Sequence, residues 1–200
     1  MSPLPRSSSR DLALIATFAG VVAALGVVPS FTPPGFTVPI TAQSLGVMLA
    51  GSILGARRGA LSLLLFLALV AAGLPLLSGG RGGLGVFVGT SVGFLVAFPV
   101  AAWVTGWISE RAGSPYRLHW GLVANVVGGI VVLYLGGVVG LAAVLDVSLT
   151  AAALMLWVYL PGDAVKVVIA ALVARGVHAA YPGLLSRDRR TARTKDAAPV

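Results

Sequence analysis

The chain has no cysteine and only two histidines, His119 and His178, among its 200 residues. Disulfides, thiolate nucleophiles and cysteine-ligated metals are excluded, and so few ligands make any metal site unexpected. Charge is scarce as well: fourteen basic and six acidic side chains make up 10% of the sequence. Glu110 is the sole glutamate, and Asp146 falls between two apolar runs. No Ser/His/Asp triad or carboxylate-metal cluster can be assembled, so the chain is not expected to be an enzyme and implies no cofactor. No glycine loop ends in Lys-Ser/Thr, which disfavours nucleotide binding and an ATPase activity of its own.

What is abundant is apolar surface. The hydrophobic fraction is 58% and the mean hydropathy is strongly positive, far from a soluble domain. A helix needs roughly 20 apolar residues to cross ~30 Å of hydrocarbon. Six such runs can be placed, at about 12 to 28, 39 to 56, 59 to 77, 84 to 108, 119 to 144 and 150 to 174. The expected fold is all-α: an integral membrane protein with a bundle of six transmembrane helices.

The net charge of +8 would suit nucleic acid, but nearly all of it stands at the ends of apolar runs. With the N-terminus inside, the cytoplasmic side holds Arg6, Arg10, Arg57, Arg58, Arg111, Arg117, Arg175, Arg187, Arg189, Arg190, Arg193 and Lys195. The outer loops hold only Arg81, and Lys166 lies within a span. So one-sided a distribution predicts two cytoplasmic termini and no nucleic-acid partner. Removing the first run as a signal peptide would spoil that asymmetry, and no clear Ala-x-Ala cleavage site follows it. Residues 1 to 185 are expected to form one membrane domain. Residues 186 to 200, polar and basic, are expected to be a disordered cytoplasmic tail near anionic membrane lipid.

Three segments on the expected outer side interrupt the apolar runs. The first, Pro29-Ser-Phe-Thr-Pro-Pro-Gly-Phe-Thr-Val-Pro-Ile-Thr-Ala-Gln43, has too many prolines for continuous helix. It places Thr41 and Gln43 at the outer end of the second span, as a polar cap or as ligand contacts. The second, Gly79-Gly-Arg-Gly-Gly-Leu-Gly85, has five glycines in seven residues. It is either a flexible turn or a loop whose N–H groups, at Gly82 and Gly83 among others, accept an anion beside Arg81. The third is Leu160-Pro-Gly-Asp-Ala-Val-Lys166. Residues at i and i+3 share a helix face, so Asp163 and Lys166 point together, with Pro161 in the first turn of a restarted helix. Ionisable groups at membrane depth mark substrate or ion paths, and a buried ion pair is a poor source of net stability. The pair is therefore read as functional ahead of structural.

In the first span Ala16, Ala19, Gly20, Ala23 and Ala24 form a stripe of small residues, which lets helices approach closely in lipid. Spacing alone favours packing within the bundle. Asn125, in the glycine-rich fifth span, is read as a helix-to-helix hydrogen bond.

In order and spacing, Val38-Pro-Ile-Thr-Ala-Gln-Ser-Leu-Gly-Val-Met-Leu-Ala-Gly51, Leu54-Gly-Ala-Arg-Arg-Gly-Ala-Leu-Ser62, Gly73-Leu-Pro75, the glycine loop and Leu160-Pro-Gly-Asp-Ala-Val-Lys166 together resemble the BioY family. Those proteins are the biotin-binding substrate subunits of energy-coupling factor (ECF) transporters, and the resemblance covers roughly residues 10 to 176. It implies a six-helix capture subunit working with a membrane coupling (T) subunit and two ABC-type ATPase subunits. Asp163 and Lys166 match the family's biotin-binding Asp and Lys. The Ala16 to Ala24 stripe matches its alanine motif for docking the coupling subunit, although Gly20 interrupts it. Biotin offers a neutral ureido ring, an apolar bicycle and a carboxylate. Asp163 and Lys166 would take the ureido ring, and Arg81 or glycine-loop N–H groups the carboxylate, with Thr41, Gln43, Phe36 and Phe87 completing the pocket; the inverted pose stays open. So do a stand-alone proton-coupled carrier with Asp163 as relay, a related vitamin importer, and a non-transporting structural protein.

Overall fold

The computed structural model describes residues 7 to 182, 184 and 185. The expected tail, residues 186 to 200, lies outside them. Among the described residues six long helices follow one another: α1 Ser7–Gly26, α2 Gln43–Leu54, α3 Ala56–Ala71, α4 Val92–Ala112, α5 Leu118–Leu145 and α6 Leu149–Ala180. A π-helical stretch, Val127–Val132, interrupts α5, and a 3₁₀ turn, Trp157–Tyr159, interrupts α6. A separate 3₁₀ helix, Leu84–Val88, precedes α4. The described residues contain no strand, only isolated bridges from Phe31 to Ile40 and from Leu77 to Arg81.

Four of the six helices are long and apolar enough to cross a membrane by themselves: those over Ser9–Val27, Val92–Ala112, Leu118–Leu145 and Leu149–Ala180. The chain is a multi-pass membrane protein. The second and third expected runs differ. They fold as helices of 12 and 16 residues, shorter than one unaided crossing. Gly55 separates them at φ +84°, a conformation open to glycine at little cost. Gly59 of α3 then lies so close to Ala50 of α2 that a Cβ would fall 2.9 Å from the Ala50 carbonyl oxygen, which makes the pair a tight hairpin. The fourth run also starts later than expected, because its glycine-flanked first residues form the 3₁₀ helix.

Helix α4 is central, packing on α2, α3 and α5. Its Gly93 meets Gly136 and Gly140 of α5 so closely that a Cβ there would lie 2.0 Å from the Gly136 carbonyl oxygen. Apolar transfer gives helices in lipid no reason to associate, so such backbone-to-backbone packing carries the attraction. Val22, Val47, Leu63, Phe66, Val70, Phe98 and Leu133 fill the main core. At the π-helical stretch Gly128 abuts Thr105 and Gly129 abuts Met48. The wider turn changes the rotational phase of everything after it, which includes Tyr134.

One end of the bundle gathers the arginines. Arg58 at the start of α3 pairs with Asp11 of α1 at 3.5 Å and donates to the Leu184 carbonyl. Glu110 at the end of α4 accepts from the Ala56 N–H at 2.9 Å. Tyr116, just before α5, stacks on His178 near the end of α6; burial pushes its phenol pKa up. Arg81 lies on the 72–91 connection, which joins the other ends of α3 and α4.

Candidate binding site

Opposite the arginine-rich end, a pocket opens among α2, α4, α5, α6 and the two loops that the sequence singles out. The cavity itself is small, about 80 Å³, and opens into a wider cleft of about 670 Å³ that includes open solvent. Leu77, Phe94, Leu95, Phe98 and Leu133 supply apolar wall, and Asp163, Lys166, Ser44, Tyr134 and Tyr159 supply polar groups.

Local sequence explains how Asp163 comes to face it. Helix α6 restarts at Leu160 after the 3₁₀ turn, with Pro161 in the first turn where no N–H is needed. Asp163 follows within that turn and is 8% exposed. Its Oδ1 accepts from Lys166 Nζ at 2.7 Å and from Ser44 Oγ at 3.4 Å, and its Oδ2 accepts from Tyr134 Oη at 2.8 Å. Lys166 Nζ also donates to Ser44 Oγ at 2.9 Å. An ammonium has three protons; these two bonds leave one for a ligand. The two charges of the pair cancel, so Asp163 and Lys166 together offer strong donors and acceptors with little net charge.

The 31–42 segment covers one side. It is closed on itself by the Phe31 and Ile40 bridge, with N–H to O bonds of 3.2 and 2.8 Å. Tyr159 Oη donates to the Val38 carbonyl at 2.6 Å, and Phe36 meets the Tyr159 ring edge-on at 6.1 Å between centroids. Phe36 thus supports the wall without lining it. Phe87 packs against the main core and does not line the pocket either.

Thr41, Gln43 and Arg81 do line it. Thr41 Oγ1 accepts from the Gln43 N–H at 3.3 Å at the start of α2. The Gln43 amide is spent entirely on protein partners. Arg81, exposed at the mouth, donates Nε–H to the Ser78 carbonyl at 3.2 Å. Gly82 and Gly83 lie off the pocket: a Cβ on Gly82 would strike the Leu74 carbonyl oxygen at 2.2 Å, and Gly83 turns the chain at φ +80°. The groups that sequence reasoning missed are hydroxyls: Ser44, Tyr134 and Tyr159. A tyrosine inside an otherwise apolar run was the available signal for Tyr134.

A model of the BioY family matches residues 1–183. The chain belongs to the BioY family. A biotin transporter BioY of Rhizobium etli is 48% identical over 90% of this chain and 99% of its own length. One from Rhodobacter capsulatus is 49% identical over 88% and 97%. Among solved structures, the S-component for biotin from an ECF-type ABC transporter matches with a TM-score of 0.82 and 26% identity, covering 88% of this chain and 95% of that one.

In this BioY-family chain the small-residue stripe of α1 is only partly buried. Ala19 is buried and Ala23 half-buried against the core, while Ala16, Gly20 and Ala24, on the adjoining edge of the same stripe, are exposed. Nothing lies within 4 Å of where a Gly20 Cβ would stand. Asn125, as read from sequence, ties two helices together: it accepts from Ser52 Oγ of α2 at 3.0 Å and donates to the Gly121 carbonyl at 2.8 Å.

Proposed function

We propose that the chain is the biotin-binding subunit of an ECF-type importer in the cytoplasmic membrane. The observation that carries this reading is the Asp163 and Lys166 pair, held in the wall of a small-molecule pocket in a chain whose relatives are named biotin transporters. All six helices cross or nearly cross the bilayer, α2 and α3 as a hairpin, so both termini are cytoplasmic. The gathering of arginines at one end supports that orientation, and the pocket then faces outward.

Asp163 Oδ atoms accept from the ureido N–H groups, and the remaining Lys166 proton goes to the ureido oxygen. Charge-assisted bonds of this kind contribute ~1.5–3 kcal/mol each. The bicycle rests on Phe94, Phe98 and Leu133, and the carboxylate reaches towards Arg81 at the mouth. The exposed Ala16, Gly20 and Ala24 face meets the coupling subunit, and two ATPase subunits drive release. The chain itself performs no catalysis.

Calorimetry on detergent-purified protein with a panel of vitamins and with biotin amide tests this reading. Biotin is expected to bind tightest and the amide more weakly. Tighter binding of another vitamin would overturn the assignment. Equal binding of biotin amide would remove the carboxylate contact. Uptake that persists without any ATPase partner and collapses with the proton gradient would replace the mechanism by a proton-coupled one.

A further inference from the structure

Gln43 is 2% exposed, yet it sits in the wall of the pocket. Its Nε2 donates to the Val22 carbonyl of α1 at 3.3 Å and to the Leu76 carbonyl at 3.0 Å. Its Oε1 accepts from the Ser78 N–H at 3.1 Å and from Ser78 Oγ at 3.4 Å. Both amide protons and both lone pairs are used, so nothing remains for a ligand. Carbonyl oxygens only accept and a backbone N–H only donates, which fixes the amide in one orientation.

These partners are not scattered. Leu76 and Ser78 belong to the small loop that carries Arg81, and this loop is a closed unit. Leu77 and Arg81 exchange backbone bonds at 3.0 and 3.3 Å, and Gly79 and Gly80 turn the chain at φ +79° and +70°. Arg81 Nε reaches back to the Ser78 carbonyl. At its far end the Gly83 N–H bonds to the Val70 carbonyl at 2.8 Å. Between these points, Gln43 supplies three side-chain hydrogen bonds from the helical body to the loop. The last residue of α1 is shaped to the same contact: a Cβ on Gly26 would lie 2.4 Å from the Leu76 oxygen and 2.9 Å from Gln43 Nε2.

We propose that Gln43 is a positioning residue: a latch that pins the 76–81 loop over the pocket mouth, so that it sets ligand retention through Arg81 without touching the ligand. The effect on retention rests on the biotin reading above; the latch itself does not.

Gln43→Glu is the sharpest probe, because it keeps the volume but puts an oxygen against two carbonyls. Ser78→Ala is the milder companion, removing one of the three loop bonds. Two readouts apply to purified, folded protein. One is tryptic cleavage after Arg81, the sole Lys or Arg between residues 59 and 110, with fragments identified by mass. The other is the biotin dissociation rate, measured also in Arg81→Ala and in the Gln43→Glu/Arg81→Ala pair. Cleavage and dissociation should each rise about tenfold in Gln43→Glu, the scale of one or two hydrogen bonds, with association little changed and no further loss when added to Arg81→Ala. Weaker binding with unaltered cleavage, or losses that multiply in the double variant, would overturn the latch. If Gln43→Glu does not fold, Ser78→Ala decides: a several-fold rise in cleavage supports the latch, and an unaltered rate rejects it. Wild-type protein that fails to bind biotin would remove the biotin reading, and the cleavage comparison would still judge the latch.

Discussion

Tyr134 of α5 donates to Asp163 Oδ2 at 2.8 Å while Lys166 of α6 holds Oδ1 at 2.7 Å. The carboxylate is thus gripped from two helices before any ligand arrives. A charge at this depth needs such partners, and each of them is separately removable.

Tyr134→Phe deletes one donor and keeps the ring. Hydrogen bonds to charged groups contribute ~1.5–3 kcal/mol, so biotin affinity should fall roughly tenfold or more by calorimetry. An unchanged affinity would mean that the hydroxyl has no part in orienting Asp163.

Stability and binding should separate at the ion pair. Lys166→Met strands a mostly buried carboxylate, which costs about 3 kcal/mol or more, and should lower the midpoint of thermal unfolding in detergent. Combining it with Asp163→Asn should restore most of that midpoint, yet neither variant should bind biotin. Equal midpoints for the single and double variants would show that Asp163 is adequately held by Ser44 and Tyr134 alone.

The two glycine environments predict opposite outcomes. Gly93→Ala forces a methyl into the α5 backbone and should destabilise by at least ~1–3 kcal/mol, the usual cost of overpacking. Gly20→Ala meets open space inside a helix and should leave the unfolding midpoint unchanged or raise it, since alanine is favoured over glycine there by up to about 1 kcal/mol. A Gly93→Ala midpoint as high as that of Gly20→Ala would contradict the close α4 and α5 approach.

Gly20→Trp tests the free face of α1. Biotin binding to the isolated subunit should persist, while co-purification with the coupling and ATPase subunits should be lost. Intact assembly would place the docking surface elsewhere.

Membrane class, helical fold and the position of the key charges were legible before any coordinates. Lipid solvates neither charges nor free backbone groups, so apolar run length and the placement of Arg and Lys report directly on the fold. Pro161-Gly162-Asp163 announces a restarted helix because proline fits a helix start and little else in a span. Helix lengths were less legible. The brevity of α2 and α3 depends on Gly55 entering the left-handed region and on loops that take up residues of comparable hydropathy.

The remainder of the site was decided only in three dimensions. Ser44 lies 119 residues from Asp163, and local periodicity carries no information about so distant a pairing. Tyr134 faces Asp163 only after the π-helical stretch has changed the phase of α5. Gln43 reads equally as a polar cap and as a ligand contact while its neighbours are unknown. Folding brings the carbonyls of Val22 and Leu76 and the N–H of Ser78 to it, and buried polar groups bond whatever partner is nearest and correctly oriented. By itself the sequence determined that this chain sits in a membrane and carries an Asp and Lys pair on one face of its last span. Tertiary structure alone decided which side chains hold that pair and which hold the loop above it, because hydrogen-bond partnership depends on distance in space.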